Sequence, residues 1–363
     1  MNVVLDNIIF SKANNGGISN YWFELSKYLM NETKNDLKFI ESENDLLNFH
    51  RQQLNLPSEN IISKKNIFLN FNRLLPINYT SKEKFIYHSS FYRRLLGSKN
   101  QIEVTTVHDF THNFYAPVLN KTAHNYLKFN AIKRSKGIIC ISKNTYSDLK
   151  KFCPINNKQK LEIIYNGVSD VYRPIKQLNA DEQFFVENLN CGENFILYVG
   201  SRANYKNFDF VAKLINEKTS FKLVVAGGGD FSQKETMLFS KSDLKERVIQ
   251  IQWLTDLELN VLHNKAIAFV YPSSYEGFGI PIIEAMRAGC PVIAFDNKIN
   301  QEITENGALL LEKLIYKDFA EKIEQLSNKD FRNEIIEKGF EIAKKYSWNK
   351  CCKETSEFYE SLY

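Results

Sequence analysis

Short apolar runs rich in β-branched residues alternate along this chain with longer segments in which apolar positions recur at helical spacing. The runs in the first half are VVLDNIIF, EVTTVHD, GIICIS and LEIIYNG, and those in the second are FILYVGS, FKLVVAGGG, RVIQIQW, AIAFVYPSS and CPVIAFD. Apolar strands joined through helices are typical of a parallel sheet covered by helices. The pattern therefore predicts an α/β protein made of two doubly wound, Rossmann-like units.

The predicted domain division follows from chain length and from one segment without a strand pattern. A chain of 363 residues is too long for one ordinary hydrophobic core. The segment from about Tyr172 to Glu193 contains a proline and several Lys, Gln and Asn residues, which indicates a linker, and a helix within it stays open. We predict an N-terminal domain over 1–175, a C-terminal domain over 176–345, and a last helix over 346–363 that packs back on the first domain.

Composition excludes disorder and an integral membrane protein. The formal net charge is only +5, and the chain contains 27 Phe and 18 Tyr residues, enough to build large cores. No uncharged apolar run approaches the roughly 20 residues that span a bilayer. The N-terminal stretch carries Asp6 within its apolar run, so it predicts a buried first strand rather than a secretion signal.

The spacing of the cysteines and of the acidic residues along the chain argues against metal sites and disulfides. No C-x-x-C pair, Asp-x-Asp pair or His/Cys cluster occurs, so we expect no metal ion. The residues predicted to be buried free thiols are Cys140, Cys153, Cys191, Cys290, Cys351 and Cys352.

Charge differs between the two halves. Residues 1–180 contain 25 Lys and Arg against 14 Asp and Glu, whereas residues 181–363 contain 22 against 28. The basic first half predicts either an ordinary solvated surface or one that attracts anionic lipid headgroups or a pyrophosphate-carrying acceptor. We expect a cytoplasmic protein and leave peripheral contact with the inner face of the cell membrane open. The basic residues are not interleaved with aromatic ones, so no nucleic-acid partner is predicted.

The stretch 271–296, YPSSYEGFGIPIIEAMRAGCPVIAFD, predicts a strand, a glycine loop, a helix and a second strand. Pro281 suits the first helical turn because its ring fixes φ and it lacks an N–H, and Gly289 suits the helix end. We expect the helix to run from about Pro281 to Ala288. The backbone amides predicted to bind a diphosphate at its start are those of Gly277, Phe278, Gly279 and Ile280.

Two carboxylates belong to this motif. Glu276 lies in the glycine loop and Glu284 lies near the start of the helix, at E-x7-E spacing. Carboxylates repel phosphate, so we expect both to accept hydrogen bonds from sugar hydroxyls. The alternative is that Glu284 complements the helix dipole and that Glu276 is a solvated loop residue.

In their order along the chain, these motifs resemble the retaining glycosyltransferases of family four, which have the GT-B fold. The resemblance covers most of the chain. It rests on a Gly-Gly loop from Asn15 to Ser19, VHD, ICISKNTYSDL, IIYNGV, VGSRANYKN, the glutamate motif, and a terminal YSW before the last helix. It implies two Rossmann-like domains facing each other across a cleft lined by strand-end loops.

The resemblance also implies roles for charged residues. Glu276 is placed at the transferred sugar and Glu284 at the nucleotide ribose. Arg202 and Lys206 follow a strand end, where two cations would neutralise the leaving diphosphate through charge-assisted hydrogen bonds. In many relatives the arginine directly follows the glycine, whereas Ser201 occupies that place here.

Further candidates lie in both halves. His108 ends the EVTTVH run and is implied to face the donor sugar, with structural hydrogen bonding as the alternative. Gly16 and Gly17 allow the backbone to approach phosphate or the acceptor, although a tight strand-to-helix turn requires glycine equally often. The loop from Trp253 to Asp256 is a candidate base-binding edge, with core packing of the tryptophan as the alternative.

The implied activity is that of a retaining, metal-independent glycosyltransferase that moves a hexose from a nucleotide diphosphate sugar to a saccharide hydroxyl. Bacterial relatives with these motifs build O-antigen, capsule or other surface polysaccharide, often as mannosyltransferases that use GDP-mannose. Mannose is therefore the first expectation for the sugar, with a lipid-linked acceptor and no cofactor beyond the donor. A UDP-sugar donor, a nucleotide-sugar epimerase and a non-catalytic binding subunit remain open alternatives.

Overall fold

The computed structural model describes residues 1–12, 16–32, 35–64, 74–192, 194–216, 221–240 and 244–363. Asn15, at the start of the predicted Gly-Gly loop, and Glu193, at the end of the predicted linker, lie outside these residues. The chain divides into two compact units, one formed by Met1–Gly167 with Trp348–Tyr363 and the other by Val168–Ser347. The division thus falls earlier in the chain than the sequence suggests.

The first unit is built on a parallel sheet. Among its described residues, seven strands pair in the order β3-β2-β1-β5-β7-β8-β9, and two short strands, β4 and β6, pair separately. The strands are β1 (Asn2–Asp6), β2 (Asp36–Glu41), β3 (Ile61–Ser63), β4 (Ile77–Asn78), β5 (Phe85–Ser89), β6 (Leu95–Leu96), β7 (Gln101–Val107), β8 (Gly137–Cys140) and β9 (Lys160–Ile163).

Helices connect these strands. They are α1 (Gly17–Asn31), α2 (Phe49–Gln52), α3 (Thr111–Tyr115), α4 (Val118–Arg134) and α5 (Lys143–Phe152), with short 3-10 segments at Ile8–Ser11, Glu43–Leu47 and Ser58–Asn60. Ser142 caps α5 because its side chain accepts a hydrogen bond from the Thr145 amide. The five residues of β5 are all buried, as expected for a central strand covered on both faces.

The second unit has a parallel sheet of its own. Six strands of the described residues pair in the order β12-β11-β10-β13-β14-β15: β10 (Phe195–Val199), β11 (Lys222–Ala226), β12 (Val248–Ile251), β13 (Ala268–Tyr271), β14 (Val292–Phe295) and β15 (Leu309–Leu311). The helices here are α6 (Ala180–Leu189), α7 (Phe208–Asn216), α8 (Gln233–Phe239), α9 (Asp256–Lys265), α10 (Ile280–Ala288), α11 (Lys298–Thr304), α12 (Tyr316–Ser327) and α13 (Lys329–Ala343), with a 3-10 segment at Asn204–Lys206.

Helix α6 lies within the predicted linker, where the sequence left a helix open. Asn179 caps it in a capping box, since its side chain accepts from the Glu182 amide while the Glu182 carboxylate accepts from the Asn179 amide. The linker segment is therefore partly helical.

The last helix, α14 (Trp348–Glu360), belongs to the first unit and packs against α1. The Tyr359 hydroxyl lies 2.5 Å from Nδ1 of His88 on β5. A side chain at Gly137 would collide with Phe358, since a Cβ there would come within 2.8 Å of that ring. Glycine at the start of β8 thus leaves room for α14.

The two sheets confirm the predicted α/β fold class with doubly wound, Rossmann-like units. Core side chains of the second unit pack between its sheet and helices, among them Ile196, Val211, Leu223, Val270 and Ile293. All six cysteines are buried and free, as predicted.

Candidate active site

The glutamate motif folds as its sequence predicts, with β13 followed by a glycine loop, α10 and β14. Helix α10 begins at Ile280, one residue before the predicted start, and ends at Ala288. Gly279 occupies the N-cap position at φ +101°, and Gly289 follows the helix at φ +80°. Both angles lie in the left-handed region that glycine favours. Since Gly279 has no side chain, the cap residue leaves the helix start open to an outside acceptor.

Parallel pairing of β10 with β13 brings two distant loops together. Ile196 and Leu197 pair with Ala268 and Phe269, so the carboxyl ends of the two strands are neighbours. Lys206 follows β10 in a short 3-10 segment, and Glu276 follows β13.

Lys206 and Glu276 form an ion pair at this edge of the sheet. The Lys206 Nζ lies 2.8 Å from the Glu276 Oε1, and each side chain keeps 15% of its surface exposed. The Glu276 carboxylate also accepts a hydrogen bond from the Tyr271 hydroxyl, and burial, followed by the charge of Glu276, raises the pKa of Tyr271 well above its usual value. An ammonium and a carboxylate thus share one partly buried, polar edge.

Asn207 was not among the predicted site residues, yet it joins these two loops. Its Nδ2 donates to the Pro272 carbonyl at 2.8 Å and to the Ser274 hydroxyl at 2.7 Å. Its φ of +50° is left-handed, a conformation that asparagine tolerates better than most residues. Its place in the YKN motif, directly after the lysine, is the sequence signal that could have identified it.

The guanidinium of Arg202 is engaged by other parts of the protein. Its Nε donates to Glu235 at 3.0 Å, its Nη1 to the Gly227 carbonyl at 3.3 Å, and its Nη2 to the Gly229 carbonyl at 3.0 Å and to the Asp230 carbonyl. The side chain is only 6% exposed. These contacts favour a role for Arg202 in holding the turn after β11, whereas the sequence predicts a phosphate contact.

The turn after β11 packs closely on the strand end that carries Arg202. A Cβ at Gly228 would lie 2.6 Å from the Gly200 carbonyl oxygen, and its φ is +81°. Only glycine fits there without displacing backbone. The AGGGD run at 226–230 is therefore a turn, and hydrogen bonds from Arg202 hold it in place.

Glu284 has different surroundings from Glu276. It lies on α10 beside Tyr172 and Asp256, and the Tyr172 hydroxyl donates to Asp256 Oδ1 at 3.3 Å. Although part of the residue is exposed, desolvation and then the charge of Asp256 raise the pKa of Glu284 to about 8. At neutral pH its carboxyl group is largely protonated and able to donate a hydrogen bond.

The remaining predicted residues are divided between the units. His108, Gly16 and Gly17 lie in the first unit, and the other predicted residues lie in the second. His108 directly follows β7, is 8% exposed, and lies edge-on to the Tyr21 ring at 5.1 Å between centroids. Burial lowers its pKa to about 4, so the imidazole is neutral at pH 7. Gly16, at φ +145°, is the N-cap of α1, and Gly17 is the first residue of that helix.

Trp253 is 76% exposed, so the alternative of core packing is wrong. Asp256 is the first residue of α9, where Thr255 forms a capping box with Glu258. Within the described ranges, no group of three or more His, Cys, Asp or Glu residues could hold a metal ion. Nor does any helix of those ranges have the length and apolar character needed to cross a bilayer.

Two parallel sheets with a charged edge in the second unit are compatible with several nucleotide-binding enzymes, and comparison with known proteins decides the class. A family model described as glycosyl transferases group 1 matches residues 179–342. The O-antigen chain mannosyltransferase RfbU of Salmonella typhimurium is 30% identical over 258 residues, which cover 68% of each chain. The chain therefore belongs to the group 1 glycosyltransferases.

Solved structures show the same fold over the whole chain. Sucrose-phosphate synthase from Thermosynechococcus elongatus superposes with a TM-score of 0.75 at 18% identity, covering 100% of this chain and 99% of that one. HepE from Anabaena, in complex with UDP-glucose, gives a TM-score of 0.74 at 14% identity, covering 99% and 100%. The fold is that of the GT-B glycosyltransferases.

Proposed function

We propose that this glycosyltransferase is a retaining, metal-independent enzyme of family four that transfers a hexose from a nucleotide diphosphate sugar to a saccharide hydroxyl. The first choice of donor is GDP-mannose, and the pathway is synthesis of O-antigen, capsule or another surface polysaccharide. The ion pair between Lys206 and Glu276 carries the proposal, because it supplies a cation for a leaving diphosphate and an acceptor for sugar hydroxyls at one strand edge. The name of the Salmonella relative supports mannose.

Lys206 has the main catalytic role in this proposal. The bond between the anomeric carbon and the diphosphate oxygen breaks, and negative charge develops on that oxygen. An ammonium placed before the reaction stabilises this charge without reorganisation. Backbone amides at the start of α10, from Gly277 to Ile280, add donors for the diphosphate.

Front-face attack accounts for retention. The acceptor hydroxyl oxygen attacks the anomeric carbon on the face that the diphosphate leaves, and its proton passes to the departing diphosphate oxygen. A covalent double displacement would instead need a carboxylate nucleophile. Glu276 is held by Lys206 at 2.8 Å and by the Tyr271 hydroxyl, which favours its role as a hydrogen-bond acceptor for the sugar.

The other proposed contacts follow from protonation state and position. His108 is neutral at pH 7 and offers the donor sugar a ring nitrogen without a competing charge. Glu284, with a pKa of about 8, serves the nucleotide ribose as donor or acceptor. Arg202 supports the site through the turn that it holds. No metal ion or cofactor beyond the donor takes part in the proposed reaction.

The identity of the donor is tested first by thermal shift, since a ligand that binds only the native state raises the melting temperature. GDP-mannose is expected to give the largest increase in a panel with UDP-glucose and UDP-N-acetylglucosamine. A larger increase with a UDP-sugar would make that sugar the proposed donor in place of GDP-mannose. HepE, which was solved in complex with UDP-glucose, is the reason to include UDP-glucose in the panel. Turnover of donor without acceptor would indicate an epimerase, and binding without transfer to any acceptor would indicate a non-catalytic subunit.

Glu276→Gln tests the sugar contact. We expect transfer to fall by about 10- to 100-fold, because a charged acceptor of hydrogen bonds becomes a neutral one. Affinity for the free nucleoside diphosphate should stay near that of the wild type, since that ligand carries no sugar to transfer. Calorimetry with GDP and with UDP measures this affinity. Loss of nucleotide binding with unchanged sugar handling would place Glu276 at the wrong part of the donor.

Peripheral contact with an anionic membrane, where a lipid-linked acceptor would reside, is a further part of the proposal. Leu46, Leu47 and Phe49 follow each other in two short helices of the first unit and are 52%, 71% and 55% exposed. Apolar side chains on a chain whose first half is basic are suited to an anionic interface.

Liposome flotation tests this contact. We expect the protein to float with vesicles that contain anionic lipid at low salt, and Leu47→Asp/Phe49→Asp to remain at the bottom of the gradient. Met237→Asp is the matched control, because Met237 is 71% exposed but lies in the second unit. Absence of wild-type binding at low salt, or equal loss in the control, would remove the proposed membrane surface.

A further inference from the structure

Lys128 is a fully buried lysine that none of the roles above uses. It lies on α4 with 0% of its surface exposed, although lysine is among the residues most rarely buried. Its Nζ donates to the Asp109 carbonyl at 2.8 Å and lies 4.2 Å from the centre of the Phe110 ring. The ammonium therefore contacts the two residues that directly follow His108.

Other side chains hold the same segment. The backbone of His108 forms a hydrogen bond with the side chain of Tyr92, a buried residue whose φ of +65° is rare outside glycine. The Tyr21 ring lies against the imidazole, and Phe110 is completely buried. The segment that begins at His108 is thus held by tyrosine side chains and by Lys128. The left-handed backbone of Tyr92 is strained, and strained residues are concentrated at functional sites.

The charges around Lys128 come from two elements. Asp109 follows β7, while Asp148 and Cys153 lie on and just after α5, and all three oppose the effect of burial on the lysine. Burial still prevails and lowers the pKa of Lys128 to about 8. The pKa of His108 is lowered chiefly by burial, is raised by Asp109, and is lowered further by the charge of Lys128.

We propose that Lys128 is a positioning residue for His108: its ammonium donates to the Asp109 carbonyl and thereby fixes the backbone that orients the imidazole. This rests on the proposed contact of His108 with the donor sugar. A buried apolar side chain would fill the same space but would leave the carbonyl without a donor and His108 without a neighbouring cation. The geometry thus accounts for a lysine at a place where its burial is costly.

Lys128→Met tests the proposal, with Lys133→Met as the matched control, since Lys133 is an exposed lysine on the same helix. We expect Lys128→Met to lower kcat by about 10- to 100-fold through misplacement of His108, with little change in donor KM. As pH rises through about 8, Lys128 loses its proton and its hydrogen bond to the Asp109 carbonyl changes from a charge-assisted to a weaker neutral one, so the wild-type kcat should fall there. This alkaline decrease should be absent in Lys128→Met and retained in Lys133→Met.

NMR of histidine labelled at Cε1 gives a readout that does not depend on turnover, with the His108 signal assigned from its loss in His108→Gln. In the wild type and in Lys133→Met, this signal should shift as pH passes through about 8, although the ring itself stays neutral. The shift should vanish in Lys128→Met. If Lys128→Met does not fold, the presence or absence of the pH-dependent shift of the His108 signal in the wild type tests the proposal.

The outcomes separate the two proposals. Absence of any Lys128-dependent shift of the His108 signal over the alkaline range in which the protein is folded, or wild-type kcat and pH dependence in Lys128→Met, would overturn the role of Lys128. If instead the shift behaves as expected but His108→Gln transfers sugar at the normal rate, the contact of His108 with the donor is wrong and the positioning of His108 by Lys128 has no catalytic purpose.

Discussion

Lys206→Met is expected to lower the rate of sugar transfer by about 10²- to 10³-fold, the usual effect of removing one preorganised group that stabilises developing charge. Methionine keeps most of the apolar volume of the lysine stem, so the loss reports the charge rather than the packing. Initial rates with saturating acceptor, measured by release of the nucleoside diphosphate, give the effect directly. Near-normal turnover would contradict the assignment of Lys206 to the leaving group.

Two further variants separate catalysis from stability. Lys206→Met leaves Glu276 in a partly buried position without its cation, which destabilises the fold. The double variant Lys206→Met/Glu276→Gln should recover that stability but not the activity, because the charge that stabilises the diphosphate is still missing. A double variant that recovered activity would show that Lys206 acts only by restraining Glu276.

Arg202→Met, in contrast, should lower the stability of the protein more than its catalytic activity. It removes the partner of Glu235, whose side chain is 11% exposed, and the donors to the turn carbonyls of Gly227 and Gly229. Breaking a buried ion pair of this kind costs about 3–5 kcal/mol. We expect a clear decrease in the melting temperature. An unchanged melting temperature together with a loss of nucleotide affinity would restore the predicted phosphate contact.

As the pH falls from 7 to 5, each of three buried histidines is expected to lower the free energy of unfolding by about 2 kcal/mol. Burial lowers the pKa of His88 to about 3, of His108 to about 4 and of His263 to about 3, compared with an ordinary value of 6.5. Below pH 6.5 the unfolded chain binds protons that the folded chain excludes. The contribution of each histidine to stability therefore falls as pH drops from 6.5 towards its folded value. Asp45 and Glu284, whose folded pKa values are raised to about 7 and about 8, act in the opposite direction.

Because the histidines and the buried carboxyl groups have opposite effects, the test compares the wild type with His263→Leu by urea unfolding at the two pH values. Neither ring nitrogen of His263 has a hydrogen-bond partner in the structure, and the side chain is completely buried between Tyr172 and Phe269. Leucine should therefore be tolerated at pH 7, and between pH 7 and pH 5 the variant should gain about 2 kcal/mol of stability relative to the wild type. An equal loss in the variant would show that His263 titrates normally in the folded protein.

Much of the fold could be predicted because its signals are local. The apolar runs identified β1 and the strands from β7 to β14, whereas β2, β3, β5 and β15 were not among them. Pro281 with Gly289 identified α10 to within one residue. The predicted boundary at 175 was less accurate: the units divide after Gly167, because the segment from 168 onwards packs with the second unit although its composition resembles a linker. Arg173, for example, donates its amide to Asn260 Oδ1 on α9 at 3.0 Å.

Only part of the candidate site could be predicted from the sequence. Its residue types, two cations and two glutamates, were found from motifs and spacing. Spacing placed Glu276 and Glu284 as one pair, whereas the structure gives Glu276 an ammonium and raises the pKa of Glu284 to about 8 beside Asp256. Proximity and burial, rather than residue type, determine these protonation states.

The sequence by itself determined the alternation of strands and helices and, to within one residue, the bounds of α10, since periodicity and capping act over a few neighbouring residues. The resemblance of its motifs indicated a glycosyltransferase class. Only the tertiary structure decided that Lys206 meets Glu276, that Arg202 is engaged by Glu235 and a turn, and that Lys128 is buried beneath the segment after His108. These contacts join residues far apart in the chain. They depend on which strands pair and in what register, and no short window of sequence contains that information.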